Sequence, residues 1–187
     1  MTDAAVTARA LTLRCREALD HWQAPSHDQE RLRLEYLALL RSASNGWSRA
    51  CLGSHLTASS LICAPSERVV LLTLHGRIGR WLQTGGHIEP DDLSMESAAL
   101  REAEEESGLN GVLDSNPLWL SRHAVPCGPV RPTYHLDVQY LVVVPVPGPP
   151  IISAESADLR WFGVDALPEV DDSVRALVRA AGERLGW

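Results

Sequence analysis

The stretch Leu100–Leu109, LREAEEESGL, places four glutamates in ten residues, flanked by alanines and leucines that favour a helix. With Glu102 at zero on a helical wheel of about 100° per residue, Glu106 falls near 40° and Glu105 near 300°. These three carboxylates share an arc of about 100°, while Glu104 lies apart near 200°. Ala99, Leu100 and Ala103 fill the sector between, where a core contact belongs. Like charges at i, i+3 and i+4 repel by a few tenths of a kcal/mol per pair, and by more when partly buried. A divalent cation reverses that cost, and Mg²⁺ prefers such hard oxygen ligands. Arg101, four residues before Glu105, is placed to orient its carboxylate.

Upstream, in WLQTGGHIEP, the pair Gly85-Gly86 allows a sharp turn and a close approach to a ligand, where a backbone carbonyl can join the same metal. A fold is needed that brings this glycine pair against the acidic helix. The remaining pattern supplies one. LTASSLIC and RVVLLTL are β-rich runs joined by APSE as a hairpin, and RWLQ is a short strand ending at the glycines. PLWLSRHAV and TYHLDVQYLVVVPV are strands on either side of PCGPVRP; PVPGPP is a rigid loop and DLRWF a further strand. A last helix starts near Ser173, with Val174, Leu177, Val178, Ala181 and Leu185 on its buried face. Strands interleaved with helices predict an α/β sandwich.

Ahead of this, residues 4–22 read as an amphipathic helix with Leu11, Cys15, Leu19 and Trp22 on one face. Ser26 and Gln29 form a capping-box pattern for a second helix carrying Leu32, Tyr36 and Leu40. Residues 1–52 are therefore expected to be a helical hairpin packed on the core or on a partner subunit, and residues 53–187 the main domain. A homodimer through this hairpin or through an exposed sheet edge is compatible with the pattern.

The net charge of −7 and pI near 5.4 argue against a phosphate-backbone surface for nucleic acid, which needs clustered Lys and Arg. They do not exclude a small phosphorylated substrate bridged by a cation. Cys15, Cys51, Cys63 and Cys127 form no CxxC pair and no common zinc pattern, so they read as buried or free thiols of a reducing compartment. The N-terminus lacks an apolar signal core and no run is long enough to span a bilayer, so a cytosolic protein is expected.

The stretch Gly85–Leu109, GGHIEPDDLSMESAALREAEEESGL, resembles the Nudix box: Gly, five residues, Glu, seven residues, then Arg-Glu-apolar-x-Glu-Glu-x-Gly-apolar. Arg101, Glu102, Ala103, Glu105, Glu106, Gly108 and Leu109 match its second half in full. The first half departs: there is one extra residue between Gly86 and Arg101, Asp91 or Asp92 replaces the early Glu, and Thr84 stands where Pro is common. The likeness extends over about residues 53–168, and implies a MutT-like Nudix α/β/α sandwich with a mixed sheet. It also implies hydrolysis of a nucleoside diphosphate linked to another group, with Mg²⁺ or Mn²⁺. Position by position, it implies Glu102, Glu105 and Glu106 as metal ligands, with Gly86 as a further one. Some members add a glutamate outside the box. Glu155 in SAESADLRWF stands at a similar place, as an extra metal ligand or general base. Glu105 or Glu106 is the alternative base.

For substrate contacts, strand alternation puts Thr133, His135, Asp137 and Gln139 on one face, a polar stripe that either lines a cleft or is solvated. Arg131 and Arg122 are candidate phosphate partners, and Trp81 and Trp119 either stack a base or pack in the core. His87 lies in the box loop; His21, His27, His55, His75 and His123 show no ligand spacing. Two other functions compete with hydrolysis. One is a non-catalytic Nudix-like nucleotide-binding module, which has no need of three repelling acids. The other is an isoprenoid-diphosphate isomerase, which needs an acid/base pair, typically with a Cys. The sequence names no leaving group.

Overall fold

A computed structural model of the chain describes residues 3–154 and 156–187, with the side chains of 3–8 outside that description. The elements run α1 (Asp3–His21), α2 (His27–Ser42), β1 (Ser54–Ala64), β2 (Val69–His75), β3 (Trp81–Leu82), β4 (Thr84–His87), α3 (Met95–Ser107), β5 (Val112–Val125), β6 (Thr133–Val143), β7 (Ser156–Gly163) and α4 (Asp172–Leu185), with a 3₁₀ turn over Pro65–Glu67 between β1 and β2. They form one mixed seven-stranded sheet in the order β3-β2-β1-β6-β5, with β4 also on β1 and β7 on β2. The α/β sandwich with a mixed sheet and a leading helical hairpin is the expected architecture.

Strand β1 organises it. It pairs parallel with β6 along its length, and antiparallel with β4 and then β2 on its other edge. Flanked on both edges and both faces, it is buried from His55 onward, and the polar residues that alternate with apolar ones over His55–Ser59 are buried with the rest. One face of the sheet packs Leu56, Ala58, Leu136, Val138 and Tyr140 against Met95, Ala98 and Ala99 of α3 and against the N-terminal hairpin. The other packs Leu61, Cys63, Val70 and Leu72 against Val174, Leu177, Val178 and Ala181 of α4. Leu185, expected on that face, is only half-buried.

The hairpin is built into the first of these cores: Leu11, Cys15, Leu19, Trp22, Tyr36 and Leu40 are all buried there. Its apolar stripe is thus spent within the chain. Its polar groups serve the outermost strand β5, which otherwise has unpaired backbone along its free edge. Trp22 Nε1 donates to Pro117 O at 2.6 Å, and the Tyr36 hydroxyl donates to Ser121 O at 2.6 Å. The capping-box expectation is half corrected here. Ser26 Oγ does accept from Gln29 N, but the Gln29 side chain does not return to the cap. It lies buried and acts as a peptide mimic, donating to Leu120 O at 2.9 Å and accepting from Leu120 N at 2.8 Å. Gln29→Ala leaves both backbone groups dry and unpaired, and is expected to cost about 2–4 kcal/mol of stability in urea unfolding. An unchanged urea midpoint would show that water takes over both bonds.

Candidate active site

Helix α3 is fixed at both ends. Ser94 and Ser97 form a reciprocal capping box at its start, and Gly108 closes it in the left-handed conformation, φ 67°, its N–H reaching Glu104 O. Met95, Ala98, Ala99 and Ala103 are buried beneath it, which turns the acid-bearing arc away from the core and toward β4. The sharp turn expected at Gly85-Gly86 is not what the structure shows. Both glycines lie in strand β4, paired with Ser59 and Ala58 of β1. Close approach, the other half of that expectation, is what requires them. A Cβ at Gly85 would sit 2.2 Å from Ser59 Cβ and 2.5 Å from Ser59 Cα, and φ there is +152°. A Cβ at Gly86 would sit 2.5 Å from Glu102 Oε1. The bare backbone of Gly86 thus lies directly against the Glu102 carboxylate, while Gly85 N donates to Glu106 Oε2 at 3.3 Å.

Arg101 ties the acids together. Its guanidinium donates to Asp92 Oδ1 and Oδ2 at 3.0 and 2.9 Å, to Glu102 Oε1 at 3.0 Å, to Glu105 Oε2 at 3.1 Å and to His87 O at 3.1 Å. The Asp92 hydrogen bonds, with those to Glu102, hold its pKa above the usual arginine value. Of the two aspartates left open by the sequence, Asp92 is the one that faces Arg101. It is buried and also accepts from Glu89 N at 2.7 Å, closing a turn that absorbs the extra box residue. Arg14 of α1 donates to Leu93 O at 2.7 Å and pins the same loop.

Arg101 and Glu102 line a cleft of about 700 Å³ together with Gly85, Gly86, His87, Glu105 and Glu106, and Ser48, Arg49 and Ser153 line it as well. Ser48 and Arg49 follow the hairpin, a region in which the sequence showed no chemistry. No local signal marked them, because only the packing of the hairpin brings them here. The donor set fits a hard divalent cation: carboxylate oxygens outnumber the nearby guanidinium groups, and the glycine strand leaves room for close approach. Glu155 falls outside the described residues; Ser153, two residues earlier, lines the cleft.

Arg131, His135 and Asp137 are not among the residues lining that cleft. Arg131 is exposed on the β5–β6 loop. The Asp137 carboxylate is buried and accepts from Ser59 Oγ at 2.6 Å, Thr57 Oγ1 at 2.9 Å, Gln139 Nε2 at 3.0 Å and Gln83 Nε2 at 3.3 Å. The polar stripe of β6 is therefore an internal network shared with β1. Arg122 is engaged by Glu35 at 3.0 Å and lies over the Tyr134 ring, while Trp81 packs edge-on against Phe162. His135 meets His55, His87 and Cys127 in a group whose ligand atoms all lie within 4.8 Å of one another. Burial, with the neighbouring His55 second, pushes the His87 and His135 pKa values down to about 4 and about 3. Sequence spacing missed this group because its members come from three strands and a loop.

Residues 53–181 match the family described as NUDIX domain. A solved Nudix-family hydrolase from Clostridium perfringens is 27% identical, with a TM-score of 0.56 over 71% of this chain and 96% of that one. A MutT Nudix hydrolase from Burkholderia pseudomallei is 23% identical, with a TM-score of 0.52 over 68% of this chain and 97% of that one. The Nudix domain of Shewanella oneidensis NrtR, solved with ADP ribose, is 21% identical, with a TM-score of 0.58 over 81% of this chain and 97% of that one. Among curated proteins nothing matches. The fold and the site define a hydrolase of the pyrophosphate-cleaving class, and the chain belongs to the Nudix family. No described helix is long and apolar enough to cross a membrane.

Proposed function

We propose that this chain cleaves the pyrophosphate bond of a nucleoside diphosphate linked to a second group, with Mg²⁺ or Mn²⁺ held at the α3 cleft. The observation that carries the reading is the approach of Glu102 and Glu106 to the Gly85-Gly86 strand, with Glu105 lining the same cleft. Glu102, Glu105, Glu106 and the Gly86 carbonyl would hold the cation, with Glu155 as a further ligand. A cation bound there supplies charge neutralisation for the diphosphate and Lewis-acid polarisation of the reacting P–O bond.

The chain's own groups do the rest. Arg101 is a positioning residue: it spans Asp92, Glu102 and Glu105 and holds their oxygens in one orientation. Lysine is a poor substitute, because a point charge cannot reproduce five donors in a fixed fork. Glu105, Glu106 or Glu155 takes the proton from the attacking water. Of Glu102, Glu105 and Glu106, Glu105 is the exposed one, its side chain 59% exposed, which suits a group that must exchange protons with solvent. Arg49, which lines the cleft, supplies positive charge for the phosphates.

The test is turnover on a panel of nucleotide sugars, dinucleoside polyphosphates and nucleoside triphosphates, with Mg²⁺ and with excess EDTA. At least one class is expected to turn over with metal, and none with chelator. A panel that is bound but never cleaved would replace this reading with a nucleotide-binding module.

A further inference from the structure

Strand β4 carries chemistry on both faces. Successive strand residues point to opposite sides of a sheet. Gly86 pairs with Ala58, on the face covered by α3, and meets Glu102 there. His87 pairs with Thr57 and points the other way, to His55 of β1 and His135 of β6. His55 and His135 are direct register partners in the parallel β1–β6 pair. The three ring centroids are 4.8–5.2 Å apart. Cys127, from the β5–β6 loop, closes the group with Sγ 3.8 Å from His87 Nε2.

Two features distinguish this from packed core histidines. His55 is 1% exposed, and its Nε2 has no hydrogen-bond partner; His135 Nε2 is likewise buried and unpartnered. His55 Nδ1 faces the Cys51 carbonyl at 3.3 Å. A carbonyl only accepts, so Nδ1 carries the proton and the Nε2 lone pair points into the group. A backbone carbonyl fixing the tautomer of a metal-bound imidazole is a common supporting contact. Neutral imidazoles are the ligating form.

We propose that His55, His87, His135 and Cys127 form a tetrahedral zinc site with three nitrogen ligands and one sulfur, a ligand set distinct from the carboxylates of the α3 cleft, which His87 also lines. Three imidazoles and a thiolate suit zinc, whereas the oxygen set on the other face suits magnesium. Ligand atoms of a zinc tetrahedron lie roughly 3.3–3.7 Å apart, given bonds of about 2.0–2.3 Å. The ligand atoms here lie within 4.8 Å of one another, so binding draws them together about the ion. Binding displaces the thiol proton and leaves the imidazoles unchanged. The site clips the β5–β6 loop to β1, β4 and β6. Because the His87 carbonyl accepts from Arg101, it also steadies the strand that Glu102 and Glu106 approach.

The experiment uses the full chain without a polyhistidine tag, loaded with zinc and then dialysed against metal-free buffer. Elemental analysis is expected to give about one zinc per chain. The triple variant Glu102→Gln, Glu105→Gln, Glu106→Gln should retain it, and Cys127→Ser or His135→Asn should lose most of it. Cobalt(II) in place of zinc should give a thiolate-to-metal charge-transfer band that Cys127→Ser abolishes. In the unmutated chain, which cannot fail by misfolding, zinc should slow alkylation of Cys127 at least about tenfold, and chelation should reverse this. Chelation should also lower Tm by about 5 °C or more. Well under half an equivalent of zinc, zinc unaffected by Cys127→Ser in a folded variant, cobalt without the charge-transfer band, or unprotected Cys127 in the loaded chain would each overturn the proposal.

Discussion

Glu105→Gln and Glu106→Gln are each expected to lower kcat by at least about a hundredfold while the far-ultraviolet spectrum and urea midpoint stay near those of the parent protein. The separation of activity from stability follows from where these residues stand. Glutamine keeps the volume and one oxygen but removes the charge that a divalent cation requires. The helix does not depend on that charge: its capping box, its Gly108 terminus and the buried Met95, Ala98, Ala99 and Ala103 hold it. Removing one of several converging carboxylates even relieves repulsion, so a slight gain in stability is the expected sign. Glu105 loses only its contact with Arg101 Nη1, which retains Glu102. Wild-type turnover by both variants on a substrate the protein cleaves would end the assignment of the α3 carboxylates.

The second large effect distinguishes two adjacent glycines. Gly85→Ala is expected to cost at least about 3 kcal/mol, or about 6–12 °C in Tm for a chain of this size. The new methyl would overlap the Ser59 Cα at 2.5 Å and the Ala58 carbonyl oxygen at 2.9 Å, and backbone cannot rotate aside. The positive φ adds strain for any residue with a Cβ. Pairing of β4 with the centre of β1 is lost with it. At Gly86→Ala the three atoms nearest the new methyl are all of the Glu102 carboxyl group, which can swing away. Its stability change should stay within about 1 kcal/mol, while kcat/KM falls at least about tenfold as the carboxylate leaves its place. Thermal melts and kinetics on the two purified variants decide it. The assignment of Gly86 to the site fails if its alanine variant is fully active, or if the two substitutions destabilise the fold equally.

The acid-bearing helix was legible from its residues because a helix is a local object: its period alone predicts which glutamates converge, and Arg101 does reach Glu105 as the i, i+4 spacing implies. The hairpin and the β1–β2 connection were legible for the same reason. Gln29 was misread in part because its cap spacing is local while its use, bridging the backbone of Leu120, is not. Gly85-Gly86 looked like a turn because glycine pairs favour turns. The requirement comes instead from Ser59 and Glu102, which are distant in sequence. The polar stripe of β6 showed its alternation plainly, but not that β1 faces it with Thr57 and Ser59 and closes it off from water.

What the sequence determined by itself is the periodic part: a helix with three glutamates on one arc, strands enough for a sandwich, and a glycine pair that tolerates close contact. Only the tertiary structure decided which surfaces meet. Strand register sets His135 beside His55 and turns His87 away from Gly86, and hairpin packing delivers Ser48 and Arg49 to the cleft. Helical and strand periods arise from backbone geometry within a few residues. Register and docking are fixed by burial summed over the whole core, and no short window of sequence contains that sum.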